Sequence, residues 1–153
     1  MISRRIFGIA LALLALTGPS ALAQEPDAAL AEAIRSYDPG MTASSDPALV
    51  HAADFNGDER QDVAAVLEGG GKSALVIFNR TPSGYRAYAL YASLPPGPLQ
   101  LRVVPPGRHR ILGPEGTVEV SSPALELVFP GRASAMYAWG DGRYQVHGTE
   151  NYH

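Results

Sequence analysis

The sequence predicts a mainly β chain of the α+β class: an antiparallel β meander, curled into one sheet or folded as a two-layer sandwich, with one N-terminal helix packed on it. Three observations carry that prediction. From residue 48 onward, short apolar or alternating segments recur at regular spacing. Clusters of Gly and Pro separate them, as tight turns require. Helical periodicity occurs once, ahead of all the strands.

That helix is expected over residues 24–37. Pro26 and Asp27 suit its first turn, Leu30, Ile34 and Tyr37 recur at i, i+4 and i+7, and Asp38-Pro39-Gly40 ends it. One narrow apolar stripe suits a helix laid on a core, not one buried all round. Residues 41–47 read as a loop and residues 48–53 as a short strand. Strands over 62–68 and 73–79 form a hairpin through Gly69-Gly70-Gly71-Lys72. After Thr81-Pro82-Ser83-Gly84, residues 85–92 set Tyr85, Ala87, Ala89 and Tyr91 on one face and Arg86, Tyr88 and Leu90 on the other. Pro95-Pro96-Gly97-Pro98 and Pro105-Pro106-Gly107 frame a strand over 99–104 and read as rigid connections within one domain. Strands over 117–120, 124–129, 133–139 and 144–147 complete the chain. Turns at Gly113-Pro114-Glu115-Gly116, Pro130-Gly131 and Gly140-Asp141-Gly142 separate them.

The first residues are expected to be an address and no part of the fold. Arg4-Arg5 precede an apolar run over 6–17 broken only by Gly8, and Ala21-Leu22-Ala23 makes a small-x-small cleavage pattern. This is the form of a secretory signal peptide cut after Ala23, leaving residues 24–153 as a single domain in the periplasm or outside the cell. The run is shorter than the roughly 20 residues a spanning helix needs, so no membrane span is expected in the mature chain. The absence of Cys removes disulfides, lipid attachment at a thiol and thiolate metal sites from the possibilities. Both arginines of the leader aside, ten basic side chains face fifteen acidic ones, and no basic stripe appears. That balance argues against nucleic acid and anionic membranes as partners, and points to a protein or an envelope component.

The chemistry-bearing stretch is Asp54-Phe55-Asn56-Gly57-Asp58-Glu59-Arg60-Gln61-Asp62, followed at once by the apolar run Val63-Ala64-Ala65-Val66-Leu67. Oxygen-bearing side chains stand at loop positions 1, 3, 5 and 9. Calcium takes six to eight such oxygens and tolerates irregular loops better than magnesium does. Three carboxylates within nine residues also repel one another unless a cation screens them, and Arg60 alone is a poor counter-ion for three. An EF-hand is excluded: it needs a bidentate Glu at loop position 12, where this chain has Ala65, and a helix to follow. The competing reading is an Asx-rich turn whose side chains bond their own backbone.

The spacing Asp-x-Asn-x-Asp-x-x-x-Asp ahead of an apolar strand resembles the calcium loop of FG-GAP repeats. These are the integrin-α-like propeller repeats, including the VCBS-type repeats of bacterial secreted proteins. The likeness runs from Ala53 to about Phe78. It implies that Asp54, Asn56, Asp58 and Asp62 supply side-chain oxygens to calcium and Arg60 its backbone carbonyl. Glu59 departs from the pattern, standing where the repeats carry Gly at a turn that favours positive φ. One copy cannot close a propeller of four to eight blades, so a single grafted loop on a small sheet domain is expected.

Other candidates have plainer readings. Gly69-Gly70-Gly71-Lys72-Ser73 lacks the earlier Gly of a phosphate loop, since that position is Val66, and reads as a hairpin turn. His51, His109, His147 and His153 make no close pair and no HExxH, and no serine sits in G-x-S-x-G. Glu119 and Glu126 could face each other across strands as an acid/base couple, or simply line a solvent-facing sheet surface. Trp139 and Tyr144 flank Asp141-Gly142, a strong hairpin signal, and fit a cross-strand pair better than a stacking platform. The expected function is therefore a non-enzymatic, exported calcium-binding structural or interaction module. The alternatives are a small periplasmic inhibitor or immunity-type protein, plugging a partner's site with a loop such as 95–98, and a hydrolase that uses the loop metal.

Overall fold

The apolar runs over 63–67 and 74–78 do not alternate because both of their faces are covered. The computed structural model describes residues 27–149 and arranges them in layers around these two strands. The first sheet holds β1 (Thr42–Ala43), β2 (Val50–Ala53), β3 (Asp62–Gly69), β4 (Lys72–Thr81) and β5 (Gly84–Tyr91). Its order is β1-β3-β4-β5, with β2 on the same edge of β3 as β1. The second sheet has the order β11-β10-β9-β6, built from β6 (Gln100–Val104), β9 (Ala124–Phe129), β10 (Ala133–Gly140) and β11 (Arg143–Thr149). A separate ribbon pairs β7 (Gly107–Arg110) with β8 (Thr117–Val120). Every pairing is antiparallel.

Of the two expected arrangements, the chain adopts the sandwich. Ala64 and Val66 of β3 with Leu75 and Ile77 of β4 pack against Leu101, Leu125, Leu127 and Tyr137 of the second sheet, and Phe55 joins them. The opposite face of the first sheet buries Ala65, Leu67, Ala74, Val76 and Phe78 under α1 (Ala28–Tyr37), which contributes Leu30, Ala33, Ile34 and Tyr37. The outer face of the second sheet carries Ala124, Met136 and Ala138 beneath Val118 and Val120 of β8. A strand buried on both sides loses its period-2 signature, and β3 and β4 read accordingly.

The helix begins later than the sequence pattern suggests. Asp27 is its N-cap, with Oδ1 accepting the Ala29 N–H at 3.0 Å, and α1 starts at Ala28; residues 24–26 lie outside the described residues, as does the expected signal peptide. An N-cap satisfies a donor that the first turn cannot pair internally. Asp27 Oδ2 also accepts from Arg80 Nη1 and, at 3.1 Å, from the Tyr85 hydroxyl, tying the helix start to β4 and β5. The Ala29 N–H, then the Arg80 hydrogen bond, hold the Asp27 carboxyl below its ordinary range.

Three other local readings change. The expected loop over 41–47 contains β1, and residues 47–49 form a 3-10 turn capped by Asp46, so β2 starts at Val50. The Gly107-Arg108-His109-Arg110 strand has no apolar alternation to announce it. Among the described residues no helix is long and apolar enough to cross a membrane.

Candidate functional site

The acidic loop joins β2 to β3, neighbouring antiparallel strands, so the chain must reverse within residues 54–61. Its carboxylates carry out that reversal. Asp54 Oδ1 accepts the N–H groups of Gly57 and Asp58 at 2.7 and 3.0 Å, and its Oδ2 accepts that of Glu59 at 2.8 Å. Asn56 Oδ1 takes the Asp58 N–H at 3.2 Å, and Asp58 Oδ1 takes the Arg60 N–H at 3.0 Å. Gly57 and Glu59 sit at φ 74° and 65°. The residue standing where the repeats carry Gly therefore does occupy the left-handed region, which costs an L-residue of order 1–2 kcal/mol.

Asp62 closes the loop from below. It is fully buried, and its Oδ2 accepts the N–H groups of Phe55 at 2.9 Å and Asn56 at 3.3 Å. Its Oδ1 accepts the Arg80 N–H at 2.7 Å, linking loop, β3 and the end of β4. Burial pushes the Asp62 carboxyl up to about 6 against the opposing pull of those three N–H donors. Phe55 plugs the core at this end of the sandwich, and its carbonyl accepts from Ser122 Oγ at 3.0 Å. That contact fastens the loop of the first sheet to the turn that leads from β8 of the ribbon into β9 of the second sheet.

The donor chemistry of Asp54, Asn56, Asp58, Asp62 and the Arg60 carbonyl fits a hard cation, because all of it is oxygen. The arrangement is directed elsewhere. A carboxylate offers about four lone-pair directions, and Asp54 and Asp62 each give three to N–H donors. The Arg60 guanidinium lies 3.7 Å from Asp58 Oδ2, whose other neighbour is the Asn56 amide at 3.2 Å. Among the described residues no three His, Cys, Asp or Glu side chains gather around a point that could hold a metal.

The remaining sequence candidates scatter. Gly70 and Gly71, at φ 57° and 75°, form the β3–β4 turn. His51 bonds the Ala48 carbonyl at 3.0 Å and His109 that of Pro105 at 2.7 Å. Glu119 lies opposite Arg108 in the ribbon, while Glu126 lies opposite Arg102 and Met136 in the second sheet and accepts from Thr149 Oγ1 at 2.7 Å. The two glutamates thus belong to different sheets and form no registered pair. Pro96, Gly97 and Pro98 are exposed between the buried Leu94 and Leu99, which packs on the core.

Trp139 and Tyr144 do pair across the β10–β11 hairpin, ring centroids 4.9 Å apart at 67°. Tyr88 of β5 meets both rings edge-on at 5.4 and 5.5 Å, so the cluster bridges the two sheets. The Tyr144 hydroxyl donates to the buried Asn79 Oδ1 at 2.5 Å.

Beside this cluster the sandwich is open. β5 and β11 are the edge strands on one side of the two sheets, and a groove of about 420 Å³ runs between them. Tyr88, Leu90, Tyr137, Tyr144 and Val146 line it. Val146 lies opposite the buried Tyr137, on the face that the core covers elsewhere, yet it is 64% exposed. The register of β4 against β5 shifts between Leu75 and Val76, where Leu90 is the extra residue. A bulge of this kind bends the strand and strengthens its twist. Sequence reasoning placed Arg86, Tyr88 and Leu90 on one face; nothing in the local pattern says that Val146 stays uncovered. Compared with known protein families, with characterised proteins and with solved structures, the chain matches none.

Proposed function

We propose that this chain is an exported, non-enzymatic interaction module whose 54–62 loop takes calcium and is stiffened by it. The observation that carries the interaction reading is the open side of the sandwich, where inward-facing Val146 of edge strand β11 is 64% exposed on the side of edge strand β5. Uncovered apolar surface beside free strand edges is what a binding face offers. Export is supported by the Arg4-Arg5, apolar run and Ala21-Leu22-Ala23 pattern. Calcium is supported by the oxygen-only spacing of Asp54, Asn56, Asp58, Arg60 and Asp62, with about one lone-pair direction left on each of Asp54 and Asp62. The affinity is expected to be weak, because the carboxylates must turn from backbone N–H groups toward the ion and Glu59 holds a strained turn.

Calorimetric titration of the protein and of Asp58→Ala with calcium tests the loop. Binding heat that the variant loses supports the reading, with a rise in Tm of about 4–7 °C at tenfold the Kd. Identical flat traces overturn it. Metal-dependent turnover of a panel of carboxylic and phosphoric esters would overturn the non-enzymatic assignment.

A further inference from the structure

We propose that the groove between β5 and β11 binds an extended peptide segment of a partner, one that alternates apolar with carboxylate-bearing residues. The proposal rests on the interaction-module reading and names the chemistry of what that module takes.

Three features of the groove converge on such an occupant. The first is an unused edge. The Gly148 carbonyl accepts the Leu112 N–H at 2.7 Å from the side of β11 away from β10. Along a strand, alternate residues turn both backbone groups to the same side, so Val146 and Tyr144 present theirs to the same edge. Leu112 stops that edge at Gly148, and the stretch from Tyr144 to Val146 is paired only with β10 among the described residues. An added strand gains affinity from such a row of donors and acceptors, and specificity from the side-chain pockets beside it.

The second feature is the apolar floor. Tyr137, Leu90 and Val146 offer a patch that one apolar side chain on the incoming strand would cover. The neighbours of that side chain on the strand would point to the rim.

The third is charge, and it decides the partner's sign. The charged residue lining the groove is Arg143, and Arg86 stands over the ring of groove-lining Tyr88 at 5.3 Å. Both arginines are exposed, and among the described residues neither is paired with a carboxylate. Of the nearby carboxylates, Asp141 accepts from Gln145 Nε2 at 3.2 Å, and Asp54 and Asp62, which reach Tyr144 from the loop side, each accept three backbone N–H groups. A chain with more acidic than basic residues thus sets two arginines beside its uncovered apolar groove. Carboxylates flanking an apolar anchor complement that rim, and a basic strand is repelled by it.

The test uses the full chain and its single tryptophan, Trp139, which touches two groove-lining tyrosines and reports on their environment. The probes are two blocked hexapeptides, one alternating Glu with Val and one alternating Lys with Val. The acidic peptide is expected to change Trp139 emission saturably and to bind at least about tenfold more tightly than the basic one, less so at high salt. Arg86→Glu with Arg143→Glu is expected to weaken it by about tenfold or more, and Val146→Asp to weaken it likewise. Arg35→Glu, on the exposed face of α1, leaves it unchanged. Equal binding of both peptides, no binding of either, or acidic-peptide binding that survives the double reversal overturns the groove. None of these touches the calcium titration or the ester panel, so the loop's calcium and the non-enzymatic assignment are tested separately from the groove. A concentration-dependent dimer in sedimentation that Val146→Asp dissolves also overturns the proposal, by giving the groove to a second copy.

Discussion

The Asp62 carboxylate accepts the Phe55 N–H at 2.9 Å, and both residues are fully shielded from solvent. One end of the sandwich depends on this relationship: the carboxylate fixes the backbone that aims the Phe55 ring into the core.

Asp62→Asn tests it. An amide can present one oxygen, so its NH₂ must face N–H donors that Asp62 now satisfies at Phe55, Asn56 or Arg80. A buried donor left unpaired costs about 1–3 kcal/mol, and a fall of that size is expected in urea unfolding. An unchanged midpoint would show that the clamp carries no weight.

The same carboxylate gives a pH signature. Its folded-state value near 6 lies above the ordinary 3.8, so the folded chain holds the proton that the unfolded chain has already released. Its contribution to stability therefore grows as pH falls from about 6 to about 4. Asp27 runs the other way: its lowered value stabilises the fold above the ordinary carboxylate range, and that contribution is lost under more acid conditions. Urea midpoints across this range should rise toward pH 4 in the wild type and then drop. Asp62→Asn should lose the rise and keep the drop.

Gly69→Ala should be among the most damaging small changes. A Cβ on Gly69 would lie 1.9 Å from the Gly40 carbonyl oxygen, where β3 passes the turn after α1. Backbone cannot yield as a flexible side chain does, and a loss of about 1–3 kcal/mol or more is expected. Ala at Gly40, where the nearest atom is the Asp38 carboxylate at 3.3 Å, should cost less. Equal melting temperatures for the two variants would contradict the close approach.

Glu59→Gly should act in the opposite direction. Glycine adopts φ near 65° without the Cβ penalty, so the variant should gain up to about 1 kcal/mol. It should also bind calcium more tightly than the wild type if the loop is the ion's site. A lower melting temperature would mean that the Glu59 side chain contributes something beyond its backbone.

Much of this was legible in the sequence, for identifiable reasons. Glu59 was expected at a positive-φ position only through the resemblance to FG-GAP loops, which carry Gly there, and it sits at φ 65°. Gly70-Gly71 announced the β3–β4 hairpin, and Trp139 and Tyr144 announced the β10–β11 pair, because both are short-range pairings set by turn chemistry. The Gly107–Arg110 strand was not legible: it pairs through backbone bonds, and its Arg and His side chains keep no apolar period. Glu119 and Glu126 looked like partners, but the chain crosses from the ribbon to the second sheet between them.

By itself, then, the sequence determined the elements that depend on neighbours along the chain: the N-terminal helix, the hairpins, the acidic loop and the mainly β class. Tertiary structure alone decided what lies far apart in the chain and close in space. It set β6 beside β9, brought Asp62 to the Arg80 N–H, aimed the Phe55 plug and parted β5 from β11 around Val146. The reason is physical. Turn geometry and hydrophobic period act over a few residues, whereas burial and hydrogen-bond partners are assigned only when the layers close.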